Sequence, residues 1–165
     1  MTQRETTPSD GSATAELSTA LIRGYAGYHL ALASRSYLRT APSAEPGVDP
    51  AVVAPGTEAG DRLLCVAAVT PAKGHDDLLT ALGTLTDLPW RLTCVGSLDR
   101  APAYTAGVRR RAADLGDRVS FAGTRTGPDL DAAYAAADLV VLASRIETYG
   151  LVITEALARG RPVLA

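Results

Sequence analysis

The segment LLCVAAVTPAKGHDDLLTALGTL, residues 63–85, decides the fold. It opens with the continuous apolar run Leu63–Val69, which is typical of a strand buried on both faces of a sheet. A short loop containing proline, lysine and glycine follows, and the apolar residues of Asp76–Leu85 then recur with helical spacing. A buried strand, a short loop and an amphipathic helix form the first half of a βαβ unit. The segment therefore predicts a parallel sheet.

The same alternation continues to the end of the chain. Strands are predicted at Arg91–Val95, Arg118–Ala122, Asp138–Ala143 and Pro162–Ala165, and helices at Tyr104–Leu115, Leu130–Ala137 and Tyr149–Arg159. Strict alternation of strands and helices implies right-handed crossovers and a sheet covered on both faces. The predicted fold class is α/β, with a doubly wound parallel sheet.

The region before residue 46 gives weaker signals. Residues 1–13 are rich in Thr, Ser, Pro and Gly and are expected to form a disordered tail. Residues 14–45 are assigned to a helical or strand-and-turn remnant with a linker, because residues 16–40 have apolar spacings of three and four while His29–Ala33 also fits a short strand. Residues 46–165 are assigned to one α/β domain.

Composition excludes some classes of partner. A net charge of −2 gives no electrostatic reason to expect nucleic acid as a partner. No apolar run reaches the roughly 18 residues of a transmembrane segment, and the polar N-terminus lacks the apolar core of a signal peptide. We therefore expect a cytoplasmic protein. Cys65 and Cys94 lie in apolar runs without a CxxC spacing, which favours small buried side chains over a metal or redox site.

Ligands of doubly wound sheets bind beyond the carboxyl ends of the strands. The loops at that edge are Thr70–His75, Gly96–Arg100, Gly123–Gly127 and Ser144–Tyr149. The first loop lacks the GxGxxG pattern of dinucleotide-binding folds, and the chain lacks the GxxxxGK[ST] pattern of a P-loop. A different arrangement must therefore bind any phosphate at this edge.

SRIETYGLVITEALARGRPV, residues 144–163, contains two glutamates eight positions apart. A helix is predicted to start near Gly150, where unpaired backbone N–H groups can bind an anion and the missing Cβ allows close approach. Glu155 lies about 8 Å further along the helix axis, and Glu147 precedes the helix. Carboxylates repel phosphates but accept hydrogen bonds from sugar hydroxyls. This spacing suits a ligand with phosphates in the middle and hydroxyl groups at both ends.

These segments resemble retaining glycosyltransferases of the GT-B fold, of the large family-4 type known as glycosyl transferases group 1. The E-x7-E region is matched by Ser144, Glu147, Tyr149–Leu151, Glu155–Ala156, Ala158, Gly160 and Pro162–Val163. The upstream segment P-x-KGHD-x-LL is matched by Pro71, Lys73–Asp76 and Leu78–Leu79, and Pro46–Asp49 resembles the start of the family's C-terminal domain. The resemblance covers about residues 46–165.

The resemblance implies that this chain is the C-terminal, donor-binding, Rossmann-like half of such an enzyme. Catalytic roles fall on Lys73 and Glu147, and donor-binding roles on Lys73, Glu147, Thr148, Tyr149, Gly150, Leu151 and Glu155. Glu155 would hold the ribose of a nucleoside diphosphate sugar, Glu147 would contact the donor sugar, and Lys73 would neutralise the departing phosphates. The sugar is transferred with retention. No cofactor and no essential metal are expected at this site.

The sequence departs from the family pattern in three respects. Ala67–Ala68 replaces the family's Gly-Arg, which removes one of two phosphate cations. The chain ends at Ala165 inside a predicted strand, and only about 45 residues precede the domain. We therefore expect a truncated domain, incomplete at its C-terminus, whose acceptor-binding domain is missing from this chain. The alternatives are a non-catalytic nucleotide-sugar-binding remnant or partner subunit and, without specific support, a different α/β enzyme such as an epimerase.

Overall fold

A computed structural model of the chain describes residues 51, 53, 56–147 and 150–165. Strands and helices alternate in the order β1 (Arg62–Val66), α1 (His75–Gly83), β2 (Arg91–Val95), α2 (Pro102–Ala113), β3 (Val119–Gly123), α3 (Gly127–Ala135), β4 (Leu139–Val141), α4 (Leu151–Ala158) and β5 (Val163–Leu164). A short 3-10 turn, Pro71–Lys73, precedes α1. The predictions for residues 1–13 and 14–45 lie outside the described residues.

In the described part of the chain, five parallel strands form one sheet in the order β3-β2-β1-β4-β5. The chain runs outward from β1 to β3 and then crosses back to β4 on the other side of β1. This confirms the doubly wound α/β prediction. The direction of winding changes between β1 and β4, and the crevice at the carboxyl ends of such a pair is where ligands bind in this class of fold.

Each face of the sheet is covered by helices. One core includes Leu63 and Cys65 of β1 with Leu78 and Leu82 of α1, and it extends to α2. The opposite core joins Leu64 of β1 to α3 and α4. Neighbouring strand residues point to opposite faces, so a strand covered on both sides is apolar at every position. Full burial of each leucine contributes roughly 1.5–3 kcal/mol.

The predicted boundaries shift where burial and strand pairing differ. The apolar run was expected to be a strand as far as Val69, but β1 ends at Val66 although Val69 is 1% exposed. Val69 donates its backbone N–H to Ser97 O at 2.9 Å, so the run continues as a buried loop packed on the end of β2. Helix α2 starts before its predicted boundary, at Pro102, because proline is well suited to the first turn of a helix.

Gly74 links the 3-10 turn to α1 and lies against the end of β4. Its φ of 60° is in the left-handed region, and a Cβ built on it would be 2.1 Å from Ala143 O. A residue with a side chain would therefore be strained by its backbone conformation and would also collide with the neighbouring strand end. Glycine at this position allows the loop after β1 to contact the loop after β4.

Gly74→Ala is expected to destabilise the fold more than Gly116→Ala. Gly116 has a similar φ of 64° and has no atom within 4 Å of its ideal Cβ, so it is a matched control for backbone strain alone. Strain should cost about 1–2 kcal/mol at both positions, and the collision at Gly74 should add about 1–3 kcal/mol. Urea unfolding of both variants measures the difference. Equal losses would show that the contact with Ala143 is not a constraint.

Candidate functional site

Two loops meet at the crevice between β1 and β4. We call residues 67–74 the β1 loop and residues 142–147 the β4 loop. The backbone N–H groups of Arg145 and Ile146 both donate to Ala72 O, at 2.9 and 3.4 Å. Two of the four loops predicted to carry the site are therefore joined by backbone hydrogen bonds.

Lys73 and Glu147 form an ion pair across these loops. Lys73 Nζ lies 2.7 Å from Glu147 Oε2, and the side chains are 28% and 35% exposed. The contact joins the two predicted catalytic residues, which are 74 positions apart in the sequence. Solvent-exposed ion pairs of this kind contribute at most about 1 kcal/mol, so a ligand of higher charge can separate them.

His75 lies beneath this pair and is 1% exposed. Its Nε2 is 3.7 Å from Cys65 Sγ, and its Nδ1 is buried without a hydrogen-bond partner among the described residues. Burial lowers the pKa of His75 from 6.5 to about 4, against the opposing effect of the nearby Asp76 carboxylate. The imidazole is therefore neutral at neutral pH and contributes no positive charge to an anion site.

Asp76 is held by Tyr104 of α2. The Tyr104 hydroxyl donates to Asp76 Oδ1 and accepts the backbone N–H of Asp76 at 3.2 Å. Partial burial opposes ionisation of Asp76, but the hydrogen bond from Tyr104 and the charge of Arg145 outweigh it and lower the pKa of the carboxyl group. Burial and the bond to Asp76 raise the pKa of Tyr104 to about 12. The carboxylate is thus ionised, as suits its position in the first turn of α1.

Arg145 connects the β4 loop to the same turn of α1. Its Nε and Nη2 donate to Asp77 Oδ2 at 2.9 and 2.6 Å, and Nη2 also donates to Asp76 Oδ2 at 3.2 Å. Its Nη1 donates to Pro71 O at 3.2 Å. No local pattern distinguishes Arg145 from an ordinary surface charge, because its partners lie about 70 positions upstream in the sequence.

Helix α4 presents its first turn and Glu155 on the other side of the crevice. Gly150 caps the helix with a φ of 63°, and Leu151 is its first residue. The N–H groups of the first two helical residues, Leu151 and Val152, have no acceptor inside their own helix, whereas that of Ile153 donates to Gly150 O at 2.8 Å. The Tyr134 hydroxyl of α3 donates to Glu155 Oε2 at 2.9 Å. Burial and the Glu155 charge raise the pKa of Tyr134, so this hydroxyl remains a donor that orients the carboxylate.

The structure thus joins Lys73 to Glu147, places Gly150 and Leu151 at the start of α4 and places Glu155 in its second turn. Thr148 and Tyr149 lie outside the described residues. We expected Lys73 and Glu147 to contact different parts of a donor, whereas here they contact each other. The roles assigned to all seven residues toward a donor stay predictions.

A groove with a volume of about 600 Å³ lies elsewhere on the molecule. It is lined by the start of β1, by Thr93 of β2, by Ser120–Ala122 of β3 and by alanines of α3, and none of the seven predicted site residues lines it. The strand-end crevice is a better candidate site than this groove, because the crevice combines a cation, carboxylates and a helix N-terminus.

Within residues 51, 53, 56–147 and 150–165, no group of three or more His, Cys, Asp or Glu side chains is arranged to hold a metal ion. The metal-free site therefore stays a prediction. No helix in this part of the chain is long and apolar enough to span a membrane.

Comparison with known proteins places this geometry in context. The sequence profile of the family described as "Glycosyl transferases group 1" matches residues 60–165. The D-inositol 3-phosphate glycosyltransferase of Segniliparus rotundus is 33% identical over 135 residues, which cover 73% of this chain and 30% of that protein. The chain therefore spans about a third of the length of this relative.

Two solved structures share the fold. HepE of Anabaena in complex with UDP and glucose has a TM-score of 0.57 and 30% identity, covering 63% of this chain and 29% of HepE. A glycosyltransferase of Rickettsia africae also has a TM-score of 0.57, with 28% identity, covering 62% of this chain and 27% of that one. The described fold is thus the Rossmann-like part of larger GT-B glycosyltransferases.

Acidification should lower the stability of the fold, because His75 is buried in its neutral form. The folded pKa of about 4 lies below the unfolded value of 6.5, so the unfolded chain binds more protons between these values and stability falls as pH drops through this window. At about pH 4.5 the loss attributable to His75 is roughly 2.5 kcal/mol relative to pH 7. His75→Gln should lose that much less than the wild type on acidification, measured by urea unfolding at both pH values.

His29 is present in both proteins, so its contribution cancels in the comparison. Parallel pH profiles of the wild type and His75→Gln would contradict a buried neutral imidazole.

Proposed function

The chain belongs to the glycosyl transferases group 1 family, and from this premise we propose that it supplies the donor-binding half of a retaining glycosyltransferase. The donor, a nucleoside diphosphate sugar, binds at the carboxyl ends of β1 and β4. The Lys73–Glu147 contact carries the proposal, because it brings a phosphate-binding cation and a hydroxyl-binding carboxylate together in the crevice of the sheet. The UDP and glucose named with HepE support this class of donor.

Each part of the donor has a proposed partner. The diphosphate binds to the first turn of α4, at Gly150 and Leu151 with Thr148 and Tyr149 before them, where the helix supplies about half a positive charge. Glu155, oriented by the Tyr134 hydroxyl, accepts hydrogen bonds from the ribose. Glu147 accepts hydrogen bonds from hydroxyl groups of the sugar. No metal ion is required in this proposal.

Lys73 stabilises the diphosphate as it leaves. When the bond between the phosphate oxygen and the anomeric carbon breaks, negative charge grows on that oxygen, and a fixed cation beside it lowers the barrier. Lys73 is the only lysine in the sequence, since the other cationic side chains apart from two histidines are arginines. Donor binding draws Lys73 toward the phosphates, and Glu147 accepts a hydrogen bond from a sugar hydroxyl.

Cations are scarce at this site. Lys73 and Arg145 are set against the carboxylates of Asp76, Asp77 and Glu147, so this group of described side chains carries a net negative charge. Ala68 stands where the family usually has arginine. Lys73 should therefore contribute a large part of the affinity for phosphates.

A non-catalytic nucleotide-sugar-binding subunit is the second candidate, and Ala68 favours it. The two candidates share the donor site but differ in the chemistry that follows binding. Incubation with a bound nucleotide sugar tests them in one direction: release of the nucleoside diphosphate with transfer to an acceptor or to water supports the enzyme, whereas an unchanged donor is expected both of the binding subunit and of a donor-binding half tested alone.

Titration calorimetry of the 165-residue chain tests the donor site directly. The ligands are UDP, GDP and ADP and a sugar conjugate of each. Binding of at least one of these, competed by its sugar-free diphosphate, is the expected result. A folded sample that binds none of them would contradict the proposed function.

Lys73→Ala should weaken diphosphate binding by about 1.5–3 kcal/mol, the contribution of a hydrogen bond to a charged group. The affinity for the matching nucleoside should not change, because that ligand has no phosphate. Lys73→Arg keeps the charge and is the matched control, which should retain most of the diphosphate affinity. Calorimetry measures the loss of affinity for each ligand. An equal loss for nucleoside and diphosphate would contradict a phosphate contact.

Glu155→Ala should give the opposite pattern. Nucleoside and diphosphate affinities should both fall by about 1–3 kcal/mol, because the hydrogen bonds lost go to the ribose that both ligands share. Asp131→Ala removes a carboxylate of the neighbouring helix, one that pairs with Arg159, and is the control. A loss confined to the diphosphate, or an equal loss in Asp131→Ala, would exclude a ribose contact.

A further inference from the structure

We propose that Arg145 is a positioning residue of the donor site, which holds the β4 loop with Glu147 against the turn that carries Lys73. The inference rests on the proposed function for what Lys73 and Glu147 do. The contacts of Arg145 are the evidence for how Lys73 and Glu147 are positioned relative to each other.

Arg145 bonds the turn immediately before Lys73. Its backbone N–H donates to Ala72 O at 2.9 Å, and its guanidinium donates to Pro71 O at 3.2 Å. One residue therefore binds the carbonyl groups of both residues that lead into Lys73. Because Arg145 is two positions before Glu147, the same contacts fix where Glu147 leaves the β4 loop.

The guanidinium is in turn fixed by α1. It reaches Asp77 Oδ2 with two nitrogens, at 2.9 and 2.6 Å, and Asp76 Oδ2 with one, at 3.2 Å. Asp76 is tied to α2 through its two hydrogen bonds with Tyr104. The β4 loop is thereby anchored to two helices that belong to the core of the domain.

The shape of this cluster distinguishes it from an ordinary surface ion pair. Arg145 is 48% exposed, and a single exposed pair would contribute little to stability. A guanidinium, however, donates in several fixed directions, and here those directions reach two carboxylates and a carbonyl oxygen. Lys73 and Glu147, by contrast, meet at the ends of flexible side chains, and the loops that carry them set where those side chains start.

The first test uses the fact that Lys73 is the only lysine. Reductive methylation with ¹³C-formaldehyde labels its amine, and NMR separates that signal from the N-terminal amine. Glu147→Gln breaks the ion pair directly and gives the reference shift of a released Lys73. Arg145→Ala should move the Lys73 signal toward that reference.

Arg118→Ala is the matched control, because Arg118 also donates to two backbone carbonyls, Leu88 O and Thr86 O, away from the site. It should leave the Lys73 signal unchanged. Asp77→Asn loosens the same cluster with little change of shape and should shift the signal in the same direction, which keeps the test valid if Arg145→Ala fails to fold. A Lys73 signal at its wild-type position in the folded Arg145 or Asp77 variant would overturn the proposal.

The second test measures binding of the best diphosphate among UDP, GDP and ADP, and of its nucleoside. Arg145→Ala should lower the affinity for the diphosphate about 5- to 30-fold and leave the affinity for the nucleoside unchanged. In a Lys73→Ala background, Arg145→Ala should lower the affinity for the diphosphate by a smaller factor, because the residue that Arg145 positions is already absent. Additive losses would show that Arg145 acts independently of Lys73, and equal losses for both ligands would show a purely structural role; either result would overturn the proposal. Absence of binding by the wild type would defeat the proposed function, while the NMR comparison still decides whether Arg145 holds the pair.

Discussion

The close approach of Gly74 to the carbonyl oxygen of Ala143 is the constraint on which the site depends. Only a residue without a Cβ can pass within contact distance of the end of β4 in a left-handed conformation. That approach places the 3-10 turn of the β1 loop directly under the β4 loop. The backbone bonds to Ala72 O, the Arg145 cluster and the Lys73–Glu147 pair all form across this junction. The crevice lies where the winding of the sheet reverses between β1 and β4, and Gly74 brings the loops after these two strands into contact there.

Much of the fold could be predicted from the sequence because the central strands are buried on both faces. The apolar pattern gave every described strand and helix in order, and β2 was predicted with its observed limits. The errors lie at the ends of elements, where the pattern reports burial rather than hydrogen-bonded pairing. Val69 shows this difference, since it is as buried as a strand residue but belongs to a loop packed on the end of β2.

The candidate site could be predicted in part. Lys73, Glu147 and Glu155 stand out because each lies in a motif of fixed local spacing. Arg145 and Tyr134 do not, because their partners are distant in the sequence and no local pattern marks them. Tyr134 occupies an alanine-rich helix where a large side chain suggests only core packing, and only the three-dimensional structure shows its hydroxyl on Glu155. Groups proposed to touch a ligand are thus easier to find in the sequence than the groups that orient them.

The charged residues of the site are more exposed than the neutral ones. Lys73 and Glu147 lie at a partly exposed rim, whereas His75 and Cys65 beneath them are buried and uncharged. Burial raises the pKa of Cys65 to about 12, although the nearby Lys73 opposes the rise. A neutral, poorly polarisable layer below the rim screens the charge of Lys73 less than water would.

The ion pair itself remains in contact with water, so separating it costs about 1 kcal/mol rather than the several kcal/mol of a buried pair. A diphosphate carries more charge than the Glu147 carboxylate, so in the proposed complex it competes with that carboxylate for Lys73.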